Sequence, residues 1–166
     1  VRPSSDAKLT LVFDGLFWYG TPNTKQIAGI IIANVPDGAG VVLKNFKVDG
    51  EGVTAKPAGA DYVAGIFYRE TGGTIETMTV EDVTVGATGT SVRGYGAYIS
   101  AGTNTVAVEV NDSTFTNYDK NGMEVMGDNL TANIHNNTII GRGLLPSGDE
   151  VQNGINVGRA AVATVN

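Results

Sequence analysis

The sequence predicts an all-β fold: a right-handed, single-stranded parallel β-helix of about five coils, with residues 1–166 forming one solenoid domain. Three observations carry this expectation. Val outnumbers Leu 20 to 7, beside 18 Thr, 14 Asn and 23 Gly; β-branched residues suit strands, Leu suits helices, and Gly and Asn suit turns. A pattern of glycine, apolar, any residue, apolar recurs along the chain. Between its copies lies a second pattern, two alternating apolar residues followed by Asn or Asp.

The glycine pattern reads Gly29-Ile30-Ile31-Ile32, Gly65-Ile66-Phe67-Tyr68, Gly96-Ala97-Tyr98-Ile99, Gly122-Met123-Glu124-Val125 and Gly154-Ile155-Asn156-Val157. The second reads Val41-Leu43-Asn45, Met78-Val80-Asp82, Val108-Val110-Asp112 and Ala132-Ile134-Asn136, with weaker copies at Thr10-Val12-Asp14 and Val162-Thr164-Asn166. Glycines are 36, 31, 26 and 32 residues apart, whereas glycine-to-Asx distances are 16, 17, 16, 14 and 12. Length variation confined to one half of the repeat is what a coiled chain with one variable loop per turn would show.

Alternation at period 2 marks strands with one buried face, and no segment offers a 3.6-residue stripe. An antiparallel sandwich and a parallel solenoid both fit that much. Only the solenoid needs the same residue type at the same place in each repeat, because equivalent positions stack about 4.8 Å apart. Asp14, Asn45, Asp82, Asp112 and Asn136 are expected to form one corner column, since Asn and Asp accept left-handed backbone. The inward set is expected to be Ile30, Ile32, Ile66, Tyr68, Ile99, Met123, Val125, Ile155 and Val157 on one sheet. Leu43, Val80, Val110 and Ile134 follow on the next, and Val48, Val83, Val85, Phe115 and Ile139 on the third.

The segment Ala132-Asn133-Ile134-His135-Asn136-Asn137-Thr138-Ile139-Ile140, followed by Asn153-Gly154-Ile155-Asn156-Val157, resembles the repeat of the right-handed parallel β-helix family, the pectin-lyase-like superfamily. The resemblance spans roughly residues 29–166. It implies a fold more than a function, because the superfamily holds lyases, hydrolases, epimerases, tailspikes, adhesins and non-catalytic proteins. Its lyases combine calcium-binding carboxylates with an Arg or Lys base, and its hydrolases use clustered aspartates. No Asn-Thr-Asp, Asp-Asp or Arg-x-Lys run occurs here.

An outward column of Ile31, Phe67, Tyr98, Glu124 and Asn156 is expected beside the glycines, two of its members aromatic. Rings interspersed with charges suit a carbohydrate, whose C–H faces stack while its hydroxyls take polar partners. The substrate-binding candidates are therefore Phe67, Tyr98, Glu124, Arg69, Tyr118 and Asp119. The competing expectation is that the N-terminal segment, with Phe17-Trp18-Tyr19, folds over this row. As catalytic candidates the sequence offers Arg69 with Glu124, expected on adjacent coils, and Lys120.

Other chemistry is largely excluded. A net charge of −6 and a pI near 4.6, with eleven scattered Lys and Arg, speak against nucleic acid. There is no cysteine, hence no disulfide or thiolate metal site. No apolar run reaches the roughly 18 residues of a membrane span. The single histidine, His135, is expected at a solvated outward strand position. No cofactor or metal site is expected. Asp49-Gly50-Glu51 and Asp149-Glu150 could each take a calcium ion, but neither matches a calcium loop, and they read as solvated carboxylates. The functional expectation is a non-catalytic extracellular or cell-surface protein with a structural, adhesive or glycan-binding role, its partner a polysaccharide. The alternative is a polysaccharide-active lyase or hydrolase, or a fragment of one. Val162-Ala163-Thr164-Val165-Asn166 brings no polar or helical cap, so end-to-end self-association or a longer parent chain is expected.

Overall fold

A computed structural model describes residues 17–19, 25–35, 40–51, 59–84, 93–143 and 152–166. The elements are β1 (Phe17–Tyr19), β2 (Lys25–Asn34), β3 (Gly40–Lys44), β4 (Lys47–Asp49), β5 (Tyr62–Arg69), β6 (Gly72–Glu76), β7 (Thr79–Glu81) and β8 (Arg93–Ser100). They continue as β9 (Val106–Asn111), β10 (Thr114–Thr116), β11 (Asn121–Met126), β12 (Leu130–His135), β13 (Thr138–Ile140), β14 (Asn153–Gly158) and β15 (Val162–Val165). Among the described residues there is no helix, and so none long and apolar enough to cross a membrane.

Every third strand pairs. The first sheet runs β1-β2-β5-β8-β11-β14, the second β3-β6-β9-β12-β15 and the third β4-β7-β10-β13. Apart from the antiparallel β1–β2 pair, all pairings are parallel. The chain is thus a parallel β-solenoid with three sheets around one core. Four rungs hold all three strands, and β14 and β15 add two strands of another. Complete turns are therefore fewer than the five expected.

The glycine column explains how the first sheet bends. In β5, β8, β11 and β14 the glycine and the residue after it both face inward. A Cβ on Gly65, Gly96 or Gly122 would lie 2.8, 2.6 or 2.8 Å from the carbonyl oxygen of the next glycine in the column. It would also run into Val80, Phe115 or Ile139 of the third sheet. Gly29 breaks the pattern, because it stands opposite Ala64 rather than Gly65. The first strand is thereby shifted one place from the expected assignment. Ile31 pairs with Ile66 and packs on the main core, while Ile32 pairs with Phe67 on the outer face. Three consecutive isoleucines carry no alternation, so nothing in their pattern fixed the register.

Corners are turned by left-handed residues. Between second and third sheets these are Asn45, Thr77, Asp112 and Asn136, with φ of 61°, 52°, 49° and 55°. Each N–H donates to a carbonyl one rung on: Glu76, Asn111, His135 and Asn166 respectively. Asp82 is not in this column. It turns the next corner with Asn117, at φ of 58° and 52°, and Val80 accordingly packs in the third sheet, between Val48 and Phe115. A β-branched threonine is an unfavourable left-handed residue, which is why the sequence pattern passed over Thr77. Asp14 and Val85 lie outside the described residues.

The core otherwise follows the alternation. Ile66, Tyr68, Ile99, Met123, Val125, Val110, Ile134, Val48 and Phe115 are buried in one cluster. Each such side chain contributes about 1.5–3 kcal/mol by leaving water. The Tyr68 hydroxyl reaches the carbonyls of Val41 and Thr74 at 3.0 and 3.1 Å, which is how a phenol is tolerated inside; burial raises its pKa above the ordinary value. In the last rung the inward residues are less covered, and Val157 and Val165 are exposed.

Candidate functional site

The outer face of the first sheet is where the candidate residues converge, and register sets their order. One column runs Ile32, Phe67, Tyr98, Glu124, Asn156; the other runs Gly29, Ala64, Tyr95, Asn121, Asn153. Both change character along the solenoid, from apolar in the first three rungs to amide and carboxylate in the last two.

The apolar part is a second core, not an open patch. Phe67 is 0% and Tyr98 3% exposed, and with Ile27, Ala64 and Tyr95 they form a separate buried cluster. This overturns the expectation of a solvent-facing aromatic row. Nor do the rings lie flat. Tyr62–Tyr95, Tyr95–Tyr98 and Phe67–Tyr98 meet edge to face, with centroids 5.3, 5.4 and 5.7 Å apart. Each such contact adds about 0.5–1.5 kcal/mol beyond burial, and it turns ring faces toward neighbours rather than toward a sugar. The backbone of Phe17–Tyr19 pairs with Lys25–Ile27; their side chains lie outside the described set, as does that of Arg93.

The polar part is a ladder. Glu124 is 6% exposed, and its carboxylate accepts from the Asn121 amide and, at 3.1 Å, from the Asn156 amide. Asn153 donates to Asn121 across the rung at 3.0 Å. A buried carboxylate costs several kcal/mol unless it is paired or hydrogen-bonded, and these amides meet that need. Asn121 and Asn153 each immediately precede a repeat glycine; that shared offset is the signal that could have identified them.

Asp119 and Tyr118 lie just before β11, and both are buried. Asp119 accepts from Arg142 at 2.7 Å, a partner the sequence reading missed because it comes from the loop after β13. The Tyr118 carbonyl accepts from Gln152 at 3.1 Å, and burial raises the pKa of its phenol. Lys120 is half-buried; its N–H donates to Gly94 and its carbonyl accepts from Asn153. Arg69 ends β5, in register with Asn34 and Ser100. It is not on a coil adjacent to Glu124, since β8 lies between β5 and β11. Two rungs separate them, about 9.6 Å across the sheet, and their register positions differ by two along the strand.

Two further polar groups sit elsewhere. His135 is not merely solvated: its Nε2 lies 2.9 Å from Glu109 on the outer face of the second sheet. That contact, with one from Asn111, holds the Glu109 carboxyl below its ordinary range. Among the described residues, one trio of carboxylates converges, Asp49, Glu81 and Asp82, with oxygens within 4.8 Å of one another. Lys47 bridges Asp49 at 3.0 Å and also bonds Glu81, and these two hydrogen bonds raise the lysine pKa above its ordinary value. An ammonium in that position already neutralises part of the charge a cation would seek. Asp149 and Glu150 lie outside the described residues.

No family model, curated protein or solved structure matches the chain. What the face can do is set by its own geometry: among the described residues, a polar ladder on the outer side of the first sheet, the Asp119–Arg142 pair and a buried aromatic cluster.

Proposed function

We propose that this chain is a non-catalytic β-solenoid of an extracellular or cell-surface protein, with a structural or adhesive role. Right-handed winding and kinship with pectin-lyase-like proteins belong to this reading; the glycine column and the left-handed Asn and Asp corners support them. So does association through the solenoid ends or continuation in a longer parent chain. The observation that carries the proposal is that Glu124, the buried carboxylate of the first sheet, is committed to Asn121 and Asn156. A carboxylate occupied in this way is a rung of the scaffold. A lyase would need a base beside a metal-bound uronate, yet Arg69 stands two rungs from Glu124 and Asp119 is engaged by Arg142. Any glycan contact falls on the polar half of the face, at Asn153 and Asn156, and the buried rings of Phe67 and Tyr98 take no part in it.

The test is incubation of the chain with uronate and neutral polysaccharides, with and without calcium. Unsaturated products are followed by absorbance and new reducing ends by titration. No turnover is expected. Turnover that is lost in Arg69→Ala or Glu124→Gln would overturn the non-catalytic reading.

A further inference from the structure

The polar ladder of the first sheet contains a chemically unstable dipeptide, Asn121-Gly122. In an Asn-Gly pair the backbone nitrogen of the glycine can attack the side-chain carbonyl carbon of the asparagine, because no Cβ crowds the approach. The new N–C bond closes a succinimide ring, and the side-chain nitrogen leaves as ammonia with the proton given up by the backbone amide. Water then opens the ring at either carbonyl. The product is aspartate or, with the main chain rerouted through the side chain, isoaspartate. Three features of the fold oppose this at Asn121. The residue is 1% exposed, which keeps water and hydroxide away. It lies in β11, paired on both sides with β8 and β14, so its backbone is not free to turn. Its side chain is held at both ends: the amide donates to Glu124, and the carbonyl oxygen accepts from Asn153 at 3.0 Å. Bringing the side-chain carbon onto the Gly122 nitrogen would break both bonds and leave the buried Glu124 carboxylate a donor short. Yet the reactive pair is built into the fold, since a Cβ at position 122 would lie 2.8 Å from the Gly154 carbonyl oxygen.

We propose that Asn121-Gly122 is a self-modifying site sealed by the folded solenoid: it converts when the chain unfolds, and the converted chain does not rebuild the ladder. Aspartate at position 121 sets a second carboxylate against Glu124, where the fold now has a donor. Two carboxylates sharing one buried site cannot both stay ionised. Isoaspartate is worse, because its extra backbone methylene shifts the rest of β11 against β8 and β14. Water is the only co-reactant, so no enzyme is needed. Each opening of β11 thus carries a chance of permanent loss, and the working life of the solenoid is set by how often that strand opens.

The test incubates the wild-type chain in mildly alkaline buffer, folded or unfolded in urea, and maps its peptides by mass spectrometry over time. Conversion is read from the mass change of amide to acid, and isoaspartate from its separate elution. Asn121 in the folded chain should convert at least about ten-fold more slowly than in urea, because only the open fraction reacts. Asn153-Gly154, the same dipeptide, should convert in urea as fast as Asn121 and serves as the internal reference for the unfolded rate. In urea, where folding plays no part, Gly122→Ala should slow conversion at Asn121 and leave Asn153 unaffected. When partly converted wild-type chain is diluted out of urea, the refolded fraction, separated by size exclusion, should be depleted in converted Asn121. Asn121→Asp made directly should lower the thermal midpoint by at least about 4 °C or prevent folding. Equal rates at Asn121 in folded and unfolded chain would overturn the inference, as would no conversion in urea. So would a refolded fraction in which converted Asn121 is as common as before refolding, or an Asn121→Asp chain that melts with the wild type.

Discussion

Gly122 and Gly154 hold the same place in successive repeats, yet replacing each by alanine should have opposite effects. At Gly122 a Cβ would sit 2.4 Å from Ile139 Cγ2, 2.8 Å from the Gly154 carbonyl oxygen and 3.2 Å from Tyr118 Cε1. The isoleucine tip can rotate, but the carbonyl belongs to the neighbouring rung and moves only if the ladder moves. Overpacking of this kind costs about 1–3 kcal/mol, offset by roughly 0.4–1 kcal/mol from a less flexible unfolded chain. A net loss of about 1–2 kcal/mol corresponds to a melting point lower by roughly 2–8 °C in a chain of this size. At Gly154 the only neighbour is Ile139 Cγ2 at 3.8 Å, and its φ is not left-handed. Gly154→Ala should therefore raise the midpoint by about 1–4 °C through the unfolded-state effect alone. Thermal unfolding followed by circular dichroism on dilute samples measures both. Equal shifts in the two variants would refute stacking of the glycines as the reason for their recurrence.

Other outcomes follow from single contacts. Thr77→Asn should raise stability by about 1 kcal/mol, because Asn tolerates the left-handed φ of 52° better than a β-branched residue; an unchanged urea midpoint would count against the corner assignment. Glu124→Ala leaves the buried Asn121 amide without its acceptor and should cost about 1–3 kcal/mol, read from the same urea titration. Glu109→Gln should destabilise at neutral pH, since a carboxyl with a lowered folded pKa contributes fully above its unfolded value of about 4.5. That difference should shrink as pH falls below this value and the wild-type carboxylate protonates; a gap that persists in acid would contradict the His135 contact as its source.

The parallel solenoid was legible because it depends on periodic sequence. Gly65, Gly96 and Gly122 are needed where the next rung's carbonyl approaches, Gly154 continues their period, and Val, Ile and Thr alternate wherever one face is buried. The first rung was misread because Ile30, Ile31 and Ile32 give no phase. The Asx corner was misread at one place because Thr77 adopts a conformation its side chain disfavours. The site was less legible. Phe67 and Tyr98 sit on the face that alternation assigns to solvent, and only tertiary structure shows that this face carries a second core. The Asp119–Arg142 pair joins residues from different loops, a proximity no periodicity encodes.

Stacking of equivalent positions, rung upon rung, underlies every contact described above, and one distance series tests it. Val42, Asn133 and Thr164 share an outward column of the second sheet through Thr74 and Glu109, and the chain has no native cysteine. Spin labels are placed on Val42→Cys with Asn133→Cys, or on Val42→Cys with Thr164→Cys. Diluted with unlabelled chain, they should give backbone separations of about 14 and 19 Å, three and four rung spacings. A Thr164 label no farther from Val42 than the Asn133 label would contradict the parallel solenoid and everything built on its columns.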